Sequence, residues 1–415
     1  MHILFLQKRP LLPADTGGKI RTLNVLRYLA QWHEVTYLCN VQPEDRDYPS
    51  GMRDLGVRLE TIPWRETPRG CFRFYGGLAL NLFSRFPFNV NKDYDPRLRR
   101  RAIELLERES YDLVICDFVQ MARNAVGLPA PAKILFEHNV EARIFQRHAE
   151  TGSGWLRRFY MRHQWHKMRR FEAGAGREFD AVIAVSRQDR LAFERQYGWR
   201  HVHVIDTAVD LDYFRPNGTP EKQDRVVFVG SMDWLPNEGG VCHFTNAIWP
   251  EIRRRRPQAS FQIVGRNPSP AVERLAQAPG VEVVGTVPDV RPYLAEAAVV
   301  VVPLVVGGGT RIKIFEAMAM ERAVVSTSLG AEGLELVPGE HIVIADEPAD
   351  FAGAVCDLLG NADRRDRLAA NGRRLVTGNY SAERIARQFD EICRQTVEAT
   401  SRVADRTLPE NSAAK

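Results

Sequence analysis

Residues 302–320 read VPLVVGGGTRIKIFEAMAM, a stretch that predicts a buried strand, a glycine-rich turn and a helix in direct succession. The apolar run ends at Pro303, and the three glycines at 307–309 let the backbone turn tightly and approach a ligand closely. Thr310 is of a residue type that caps the N-terminus of a helix. A strand, a glycine turn and a helix in this order are typical of a doubly wound α/β domain.

Two cations lie at the start of the predicted helix, where a cation is unfavourable. Arg311 and Lys313 fall in the first turn, and the helix dipole makes that end positive, at a cost of about 0.3–1 kcal/mol for each cation. An anion bound there reverses the sign, so the stretch predicts a diphosphate site. Glu316 lies on nearly the same face as Lys313 and is placed to accept both hydroxyls of a ribose. The residues predicted to bind the ligand are Gly308, Gly309, Thr310 and Glu316, with Arg311 and Lys313 as cations. The alternative is a glycine loop with solvated side chains.

The same succession of short apolar strands and longer helices recurs along the chain in two series. The first series of predicted strands is 3–6, 35–38, 113–116, 133–136, 181–185 and 203–205, and the second is 226–229, 261–264, 281–284, 299–302, 323–326 and 342–344. Helices are predicted between them, among others over 96–108, 155–175 and 272–278. Strands that are apolar on both faces and separated by helices form parallel sheets. The sequence therefore predicts an α/β fold of two Rossmann-like, doubly wound parallel-sheet domains that face each other across a cleft.

Breaker residues mark the join between the two series. Residues 210–224 read DLDYFRPNGTPEKQD, in which Pro216, Asn217, Gly218 and Pro220 interrupt regular structure. The predicted organisation is an N-terminal domain over 1–209, a linker over 210–224, a C-terminal domain over 225–380, a last helix over 381–399 and a flexible tail over 400–415.

Length and charge limit the classes of protein that the chain can be. Its 415 residues are too many for one ordinary core and fit two or three domains. Fifty-seven Lys and Arg against 52 Asp and Glu leave a net charge of +5, which excludes a protein dominated by nucleic-acid charge. No nucleic-acid partner is therefore expected.

Cysteine usage and hydropathy point to the cytoplasm. The six cysteines are scattered and form no CxxC pair, a pattern of buried thiols in a reducing compartment. The first residues, MHILFLQKRP, lack the basic segment that opens a signal peptide. The longest apolar run, over 297–306, is far shorter than the roughly 20 residues of a membrane span. We expect a cytoplasmic protein, held at most at the inner face of the cytoplasmic membrane.

Two more strand ends in the second half carry candidate ligand-binding residues. Gly230 follows the strand over 226–229 and opens a loop whose N–H groups can face a phosphate. Arg266 follows the strand over 261–264 and is placed to stack on a base or bond to it. The alternative for Arg266 is an ordinary surface arginine in a turn.

The first half has two corresponding positions. Gly17 and Gly18 lie in the long loop after the strand over 3–6, with a spacing too loose for the dinucleotide fingerprint. His138 follows the buried strand over 133–136 directly and points toward the expected cleft. A single histidine is more often structural than catalytic, and both interpretations stay open.

The family 4 glycosyltransferases of the GT-B fold carry similar motifs in the same order. The stretches that resemble them are GGGTRIKIFEAMAM, FVGSMDWLPN, IVGRN, VVGTVPDVRPYL and TAVDLDYFRP. The resemblance extends over about residues 1–399, and within the family the chain most resembles exopolysaccharide-associated sugar transferases.

The resemblance implies a retaining hexosyltransferase that moves a sugar from a nucleotide-sugar donor to a glycan or lipid-linked acceptor, without a metal or cofactor. It implies that the C-terminal domain holds the nucleotide and that the helix over 381–399 crosses back to the N-terminal domain. Glu316 matches the glutamate that binds the ribose, and His138 matches the histidine beside the donor sugar. Gly17 and Gly18 match the glycine-rich first loop, which faces the diphosphate and the acceptor.

The sequence departs from the family pattern in two places. Gly308 stands where the family has the first of two glutamates, eight residues before Glu316. The loop after 226–229 has Asp233 and Asn237 where the family usually has an Arg and a Lys. We infer that Arg311 and Lys313 supply that charge to the diphosphate as catalytic cations.

Two stretches combine aromatic residues with arginines. Residues 155–170 read WLRRFYMRHQWHKMRR, with six Lys and Arg and no acidic residue, and residues 72–88 contain five phenylalanines. Arg69, Arg73 and Arg85 accompany the second stretch. A basic, aromatic helix indicates a possible partner in an anionic membrane surface. The alternative is that the aromatic residues are core and the arginines a solvated face.

Two other functions stay open. A sugar-nucleotide epimerase of the same fold needs acid and base carboxylates, for which Glu137 and Glu141 are the candidates. A catalytically inactive donor-binding or scaffold protein is the other alternative, because the first glutamate is missing at Gly308.

Overall fold

The computed structural model describes residues 1–14, 16–45, 48–68, 70–151, 154–306 and 311–407. The chain forms two compact units: the first comprises Met1–Asp206 with the chain from Ile385 onward, and the second is Thr207–Arg384. Gly308, Gly309 and Thr310 lie outside the described residues.

The first unit is built on a parallel sheet of seven strands in the order β3-β2-β1-β4-β5-β6-β7. The strands are β1 His2–Gln7, β2 Glu34–Val41, β3 Arg58–Pro63, β4 Leu113–Asp117, β5 Lys133–Glu137, β6 Ala181–Ala184 and β7 Val202–Val204. Ile3 on β1 lies beside Val35 on β2 and Leu113 on β4. Every residue of β4 is buried, so helices must cover both faces of the sheet centre.

Nine helices of the first unit's described residues connect these strands. They are α1 Gly17–Trp32, α2 Tyr48–Arg53, α3 Phe72–Asn81, α4 Phe88–Asp93, α5 Pro96–Arg108, α6 Ala122–Ala125, α7 Glu141–Thr151, α8 Trp155–Ala175 and α9 Arg187–Tyr197. Asp95 caps α5, whose Leu98, Ala102 and Leu105 are buried at helical spacing.

The second unit has a parallel sheet of six strands in the order β10-β9-β8-β11-β12-β13. The strands are β8 Arg225–Val229, β9 Ser260–Val264, β10 Val281–Gly285, β11 Val299–Val302, β12 Ala323–Ser326 and β13 Val343–Ile344. The helices are α10 Leu235–His243, α11 Trp249–Arg255, α12 Pro270–Glu273, α13 Arg291–Glu296, α14 Ile312–Ala319, α15 Pro348–Gly360 and α16 Ala362–Asn379. Val226 on β8 lies beside Phe261 on β9 and Val299 on β11. Both sheets have the strand order of a Rossmann-like domain, which confirms the predicted fold class.

Each predicted strand is confirmed, with ends that differ by up to three residues. The sequence missed β3, because its RLETIP pattern lies at the sheet edge and is only partly buried, so it lacks the apolar signal of a central strand. The helix predicted over 272–278 is instead α12 followed by a 3-10 turn, Arg274–Gln277.

Residues 210–224, predicted as a linker, lie within the second unit. Phe214 is buried in that unit's core, and Asp210 Oδ1 accepts hydrogen bonds from the backbone N–H groups of Asp212 and Tyr213. The prolines and glycine therefore mark a turn-rich segment that packs on its own unit.

The last helix, α17, spans Ala382–Thr407. Its residues from Ile385 onward belong to the first unit, where Phe389 contacts Phe136 edge to face at 5.1 Å and Asp390 pairs with His33 at 2.6 Å. Residues 400–407, which the sequence assigned to a flexible tail, continue α17 as helix. Residues 408–415 lie outside the described residues.

Candidate functional site

Ligands of a doubly wound sheet bind outside the carboxyl ends of the strands, at the point where the strand order reverses. In the second unit that point lies between β8 and β11, and in the first unit it lies between β1 and β4. The predicted residues form one group in each unit.

In the second unit, hydrogen bonds join three loops into one group. Lys313 in the first turn of α14 donates from Nζ to Asn237 Oδ1 at 2.7 Å, and Asn237 Nδ2 donates to the Ser231 carbonyl at 2.8 Å. Arg266 Nε donates to Ser231 Oγ at 2.8 Å. The ends of β8 and β9 and the start of α14 are thus fixed together, which brings Arg266 and Lys313 into one group.

Two glycines make this close approach possible. A Cβ on Gly230 would lie 2.6 Å from Lys313 Nζ and 2.8 Å from Asn237 Nδ2. A Cβ on Gly265 would lie 1.8 Å from the Gly230 carbonyl oxygen. Since real Cβ contacts are longer than about 3 Å, a side chain at Gly230 would displace Lys313 and Asn237, and a side chain at Gly265 would collide with backbone. Gly230, which the sequence placed at the donor site, therefore leaves room for the Lys313 ammonium.

Burial sets the charge of Lys313 and Glu316. It lowers the pKa of Lys313 from 10.5 to about 7, an effect that Glu316 partly offsets and Arg311 reinforces. Lys313 Nζ also lies 4.3 Å from the centre of the Phe228 ring. Burial raises the pKa of Glu316 from 4.5 to about 7, and Lys313 offsets part of that shift. A dianion bound beside Lys313 would hold its proton, because opposite charge favours the cationic form.

The Glu316 carboxylate is available to a ligand. Only 8% of Glu316 is exposed, and within the described ranges no protein group donates a hydrogen bond to its carboxylate. A buried carboxylate without donors has unmet hydrogen-bonding capacity, which two vicinal hydroxyls can meet.

Arg311 has a different setting from the one expected. It occupies the N-cap position of α14, but its guanidinium is buried, and Nη2 donates a hydrogen bond to the Leu329 carbonyl at 2.8 Å. The same nitrogen lies 3.6 Å from Glu332 Oε2. Arg311 therefore also holds the segment after β12 against the start of α14.

In the first unit, the group centres on a buried carboxylate. Asp117, the last residue of β4, accepts from His138 Nε2 at 2.6 Å and from Thr22 Oγ1 at 2.7 Å. Arg21 Nη1 lies 3.1 Å from His138 Nδ1, so both nitrogens of the His138 ring have a protein partner. Burial lowers the pKa of His138, although Asp117 raises it. His138 is thus a neutral ring that donates to Asp117 and accepts from Arg21.

Phe118 adds strain and an aromatic face to this group. Its φ of 69° lies in the left-handed region, which a bulky residue adopts only when its surroundings impose it. Its ring stacks on His138 at 4.0 Å. A Cβ on Gly18 would lie 2.6 Å from the tip of the same ring. Gly17 and Gly18 are the first residues of α1, so the predicted glycine loop is the first turn of a helix.

Three buried carboxyls lie behind β5. Glu172 accepts from the backbone N–H of Glu141 at 2.8 Å and from the Tyr197 hydroxyl at 2.6 Å, and so caps α7. Burial raises the pKa of Glu172 to about 8 and that of Glu141 to about 7. Burial, together with Glu172 and Glu141, raises the pKa of Glu137 as well.

Family models match both halves of the chain. A model described as Glycosyltransferase Family 4 matches residues 16–213, and one described as Glycosyl transferases group 1 matches residues 223–361. The chain belongs to the family 4 glycosyltransferases. A Klebsiella pneumoniae protein described as an uncharacterized 44.6 kDa protein in the cps region is 22% identical to this glycosyltransferase over 394 residues, which cover 90% of this chain and 95% of that protein.

Solved structures share the fold of this glycosyltransferase. The sucrose-phosphate synthase of Thermosynechococcus elongatus superposes on this chain with a TM-score of 0.69 at 18% sequence identity. The match covers 96% of this chain and 100% of the synthase chain. Anabaena HepE, solved with UDP and glucose, superposes with a TM-score of 0.67 at 14% sequence identity. The match covers 95% of this chain and 100% of the HepE chain. These similarities confirm the GT-B fold.

Sequence reasoning missed the first unit's central residues. Asp117 directly follows the predicted strand over 113–116, so its position at a strand end was a usable signal. Phe118 had no signal, because its backbone strain follows from tertiary packing.

Among the described residues, no helix is long and apolar enough to span a membrane.

Proposed function

We propose that this glycosyltransferase transfers a hexose from a nucleotide-sugar donor to a glycan or lipid-linked acceptor, with retention and without a metal ion, in polysaccharide synthesis. The observation that carries the proposal is the pair of Lys313 and Glu316 on α14, joined to the ends of β8 and β9 through Asn237. The cps-region relative supports the biosynthetic setting, and the UDP bound to HepE supports a nucleotide donor.

Lys313 and the N-terminus of α14 supply the charge that the reaction needs. The diphosphate leaving group gains negative charge as the bond to the sugar breaks. A fixed cation and a helix N-terminus stabilise that charge more in the transition state than in the ground state. In this proposal Lys313 bonds the diphosphate, while Arg311 adds positive charge and fixes the start of α14. This fixed charge supports a metal-independent reaction.

We assign the nucleoside to the residues around this cation. Glu316 accepts hydrogen bonds from the two ribose hydroxyls, because its carboxylate is buried and receives no hydrogen bond from a protein donor in the described ranges. Arg266, held by Ser231, is placed beside the base. Gly230 lies along the phosphates in this assignment, and a phosphate role for Gly308, Gly309 and Thr310 stays a prediction from the sequence.

The state of His138 supports retention. An inverting transfer needs a general base on the acceptor hydroxyl, within hydrogen-bond reach of the proton that it removes. His138 Nδ1, the basic nitrogen of the ring, already accepts from Arg21. We therefore propose that His138, with Gly17 and Gly18, positions substrate, and that the acceptor hydroxyl attacks from the face that the diphosphate leaves.

Burial of the candidate carboxylates argues against the epimerase alternative. Glu137 is 1% exposed and Glu141 is 8% exposed, so protein encloses both carboxyls. Neither group is placed to exchange protons with a substrate in solution.

The six free thiols support a reducing, cytoplasmic setting.

A screen of nucleotide sugars by thermal shift tests the donor assignment, and a transfer assay with membrane extract as acceptor tests the reaction. We expect one nucleotide class to raise the melting temperature of the wild type, and Glu316→Gln to weaken that shift. Glu282→Gln, on β10 and away from the group, is the matched control. A donor that binds but is neither hydrolysed nor transferred would leave the inactive donor-binding protein as the function.

A further inference from the structure

Two neighbouring helical segments of the first unit expose large apolar side chains. Phe83 is 91% exposed, Phe72 90% and Trp155 72%. We call the full set the α3–α8 surface: Phe72, Tyr75, Leu80, Leu82, Phe83, Trp155, Leu156 and Phe159. Single exposed apolar residues are common, but a contiguous set of this size marks an interaction site.

The apolar stripe of α3 faces outward. Phe72, Tyr75 and Ala79 follow the spacing of one helical face and are exposed, as is Phe83 in the turn after α3. The opposite face holds the helix in place, since Phe74 packs edge to face on Phe88 at 5.7 Å. A surface helix of a globular protein normally buries its apolar stripe, so α3 has the reverse arrangement.

The first half of α8 also exposes apolar side chains, while its second half packs into the unit. Trp155 and Phe159 lie one turn apart and are exposed, whereas Gln164, Lys167 and Met168 are buried. The sequence alternative of core aromatics thus holds for the second half of the basic stretch and fails for the first.

Polar bonds fix the two segments side by side. Gln164 Nε2 donates to Asn81 Oδ1 at 2.9 Å, and Lys167 Nζ donates to the Leu82 carbonyl at 3.2 Å. His163 Nε2 donates to the same carbonyl at 3.2 Å, one turn along α8 from Phe159. The two segments therefore form one rigid surface.

Exposed arginines alternate with the apolar residues along both stretches, and acidic residues are absent from both. The exposed arginines are Arg73, Arg85, Arg157, Arg158, Arg162, Arg169 and Arg170. Residues 70–92 and 154–171 contain no Asp or Glu. The surface thus offers exposed aromatic side chains together with positive charge and no negative charge, which complements a partner that is both apolar and anionic.

We propose that the α3–α8 surface docks on an anionic lipid bilayer, with Phe72, Phe83, Trp155 and Phe159 entering the headgroup region and the arginines meeting lipid phosphates. Aromatic rings and arginines are the side chains that favour the bilayer interface. Docking brings the first unit to the place where a lipid-linked acceptor is presented, and this consequence rests on the proposed function. Docking itself does not depend on activity.

Vesicle co-sedimentation of the full chain tests the proposal. The probes are vesicles of phosphatidylcholine alone and of equal parts phosphatidylcholine and phosphatidylglycerol, each at low and high salt. We expect the wild type to bind the anionic vesicles at low salt and to bind the neutral ones weakly. Phe72→Ser with Phe83→Ser, and separately Arg157→Glu with Arg158→Glu, should each weaken binding about tenfold or more.

Matched variants control for general effects of the substitutions. Leu191→Ser removes another exposed apolar residue of the same unit, and Arg367→Glu with Arg374→Glu reverses two exposed arginines of the second unit. Both controls should bind vesicles as the wild type does. Because all these positions are exposed, the variants should keep the wild-type melting temperature.

Three results would overturn the proposal: no binding to anionic vesicles at low salt, unchanged binding by the surface variants, or a dimer in solution that the surface variants dissociate. The last result would assign the surface to a second copy of the chain. Donor binding by calorimetry on the same variants separates this proposal from the proposed function, since the surface variants should bind donor normally.

Discussion

Replacing Lys313 with methionine should weaken donor binding and at the same time stabilise the second unit. The methionine keeps the length of the side chain and its contact with the Phe228 ring but removes the charge. A charge-assisted hydrogen bond to a diphosphate contributes about 1.5–3 kcal/mol, so the donor Kd should rise about 10- to 150-fold. Titration calorimetry with the donor identified by the screen measures this loss.

The gain in stability follows from the lowered pKa of Lys313. A shift from 10.5 to about 7 means that the charged lysine costs the folded unit about 5 kcal/mol below pH 7. Loss of its bond leaves Asn237 Oδ1 without a donor, at about 1–3 kcal/mol. The net gain for Lys313→Met at pH 6 is therefore about 2 kcal/mol or more, which raises the melting temperature by roughly 4–8 °C.

The lowered pKa of Lys313 also determines how the stability difference between the wild type and Lys313→Met changes with pH. Between pH 7 and 10.5 the unfolded chain binds more protons than the folded one, so wild-type stability rises with pH and the penalty disappears near pH 10.5. The advantage of Lys313→Met should therefore shrink as the pH rises and reverse in alkali. Lys222→Met, at an exposed lysine paired with Glu296, is the control and should change neither property. Unchanged donor affinity together with lower stability at pH 6 would refute this reasoning.

Three further predictions concern both units. Gly230→Ala should displace Lys313 and weaken donor binding in calorimetry about tenfold, because its Cβ would lie 2.6 Å from Nζ; an unchanged Kd would contradict this. Glu141→Gln should match the wild type in thermal unfolding at pH 4 and exceed it by up to about 3 kcal/mol at pH 8, because between pH 4.5 and 7 the unfolded wild-type carboxyl ionises while the folded one keeps its proton. Parallel pH profiles would speak against it. Asp117→Asn should cost about 1–3 kcal/mol of stability in denaturant unfolding and abolish transfer, while the second unit keeps its donor affinity. Loss of donor affinity in Asp117→Asn would show that the effect is not confined to the first unit.

Hydrophobic patterning predicted the sheets because burial of both faces leaves a local signal. The run at 299–302 is β11 without change, and α5 and α8 begin and end where the sequence predicted. The edge strand β3 and the end of α17 had no such signal. An edge strand is partly exposed, and a polar terminal segment looks the same whether it is helical or not.

The donor-side residues were predictable in part. Cations in the first turn of α14 are costly without an anion, so Lys313 and Glu316 stand out by position alone. Asn237 looked like a missing cation in the family pattern. The structure shows that it holds Lys313, a residue 76 positions away, and such a pairing depends on which strands are neighbours.

The sequence by itself determined that this protein is an α/β chain of two parallel-sheet domains, and it predicted an anion site before α14. These features depend on the spacing of apolar residues, glycines and charges within single elements. Tertiary structure alone decided that His138 is enclosed by Asp117 and Arg21, and that the aromatic residues of α8 divide between core and surface. Burial and hydrogen-bond partners depend on strand order and helix packing, which bring together residues that are distant in sequence.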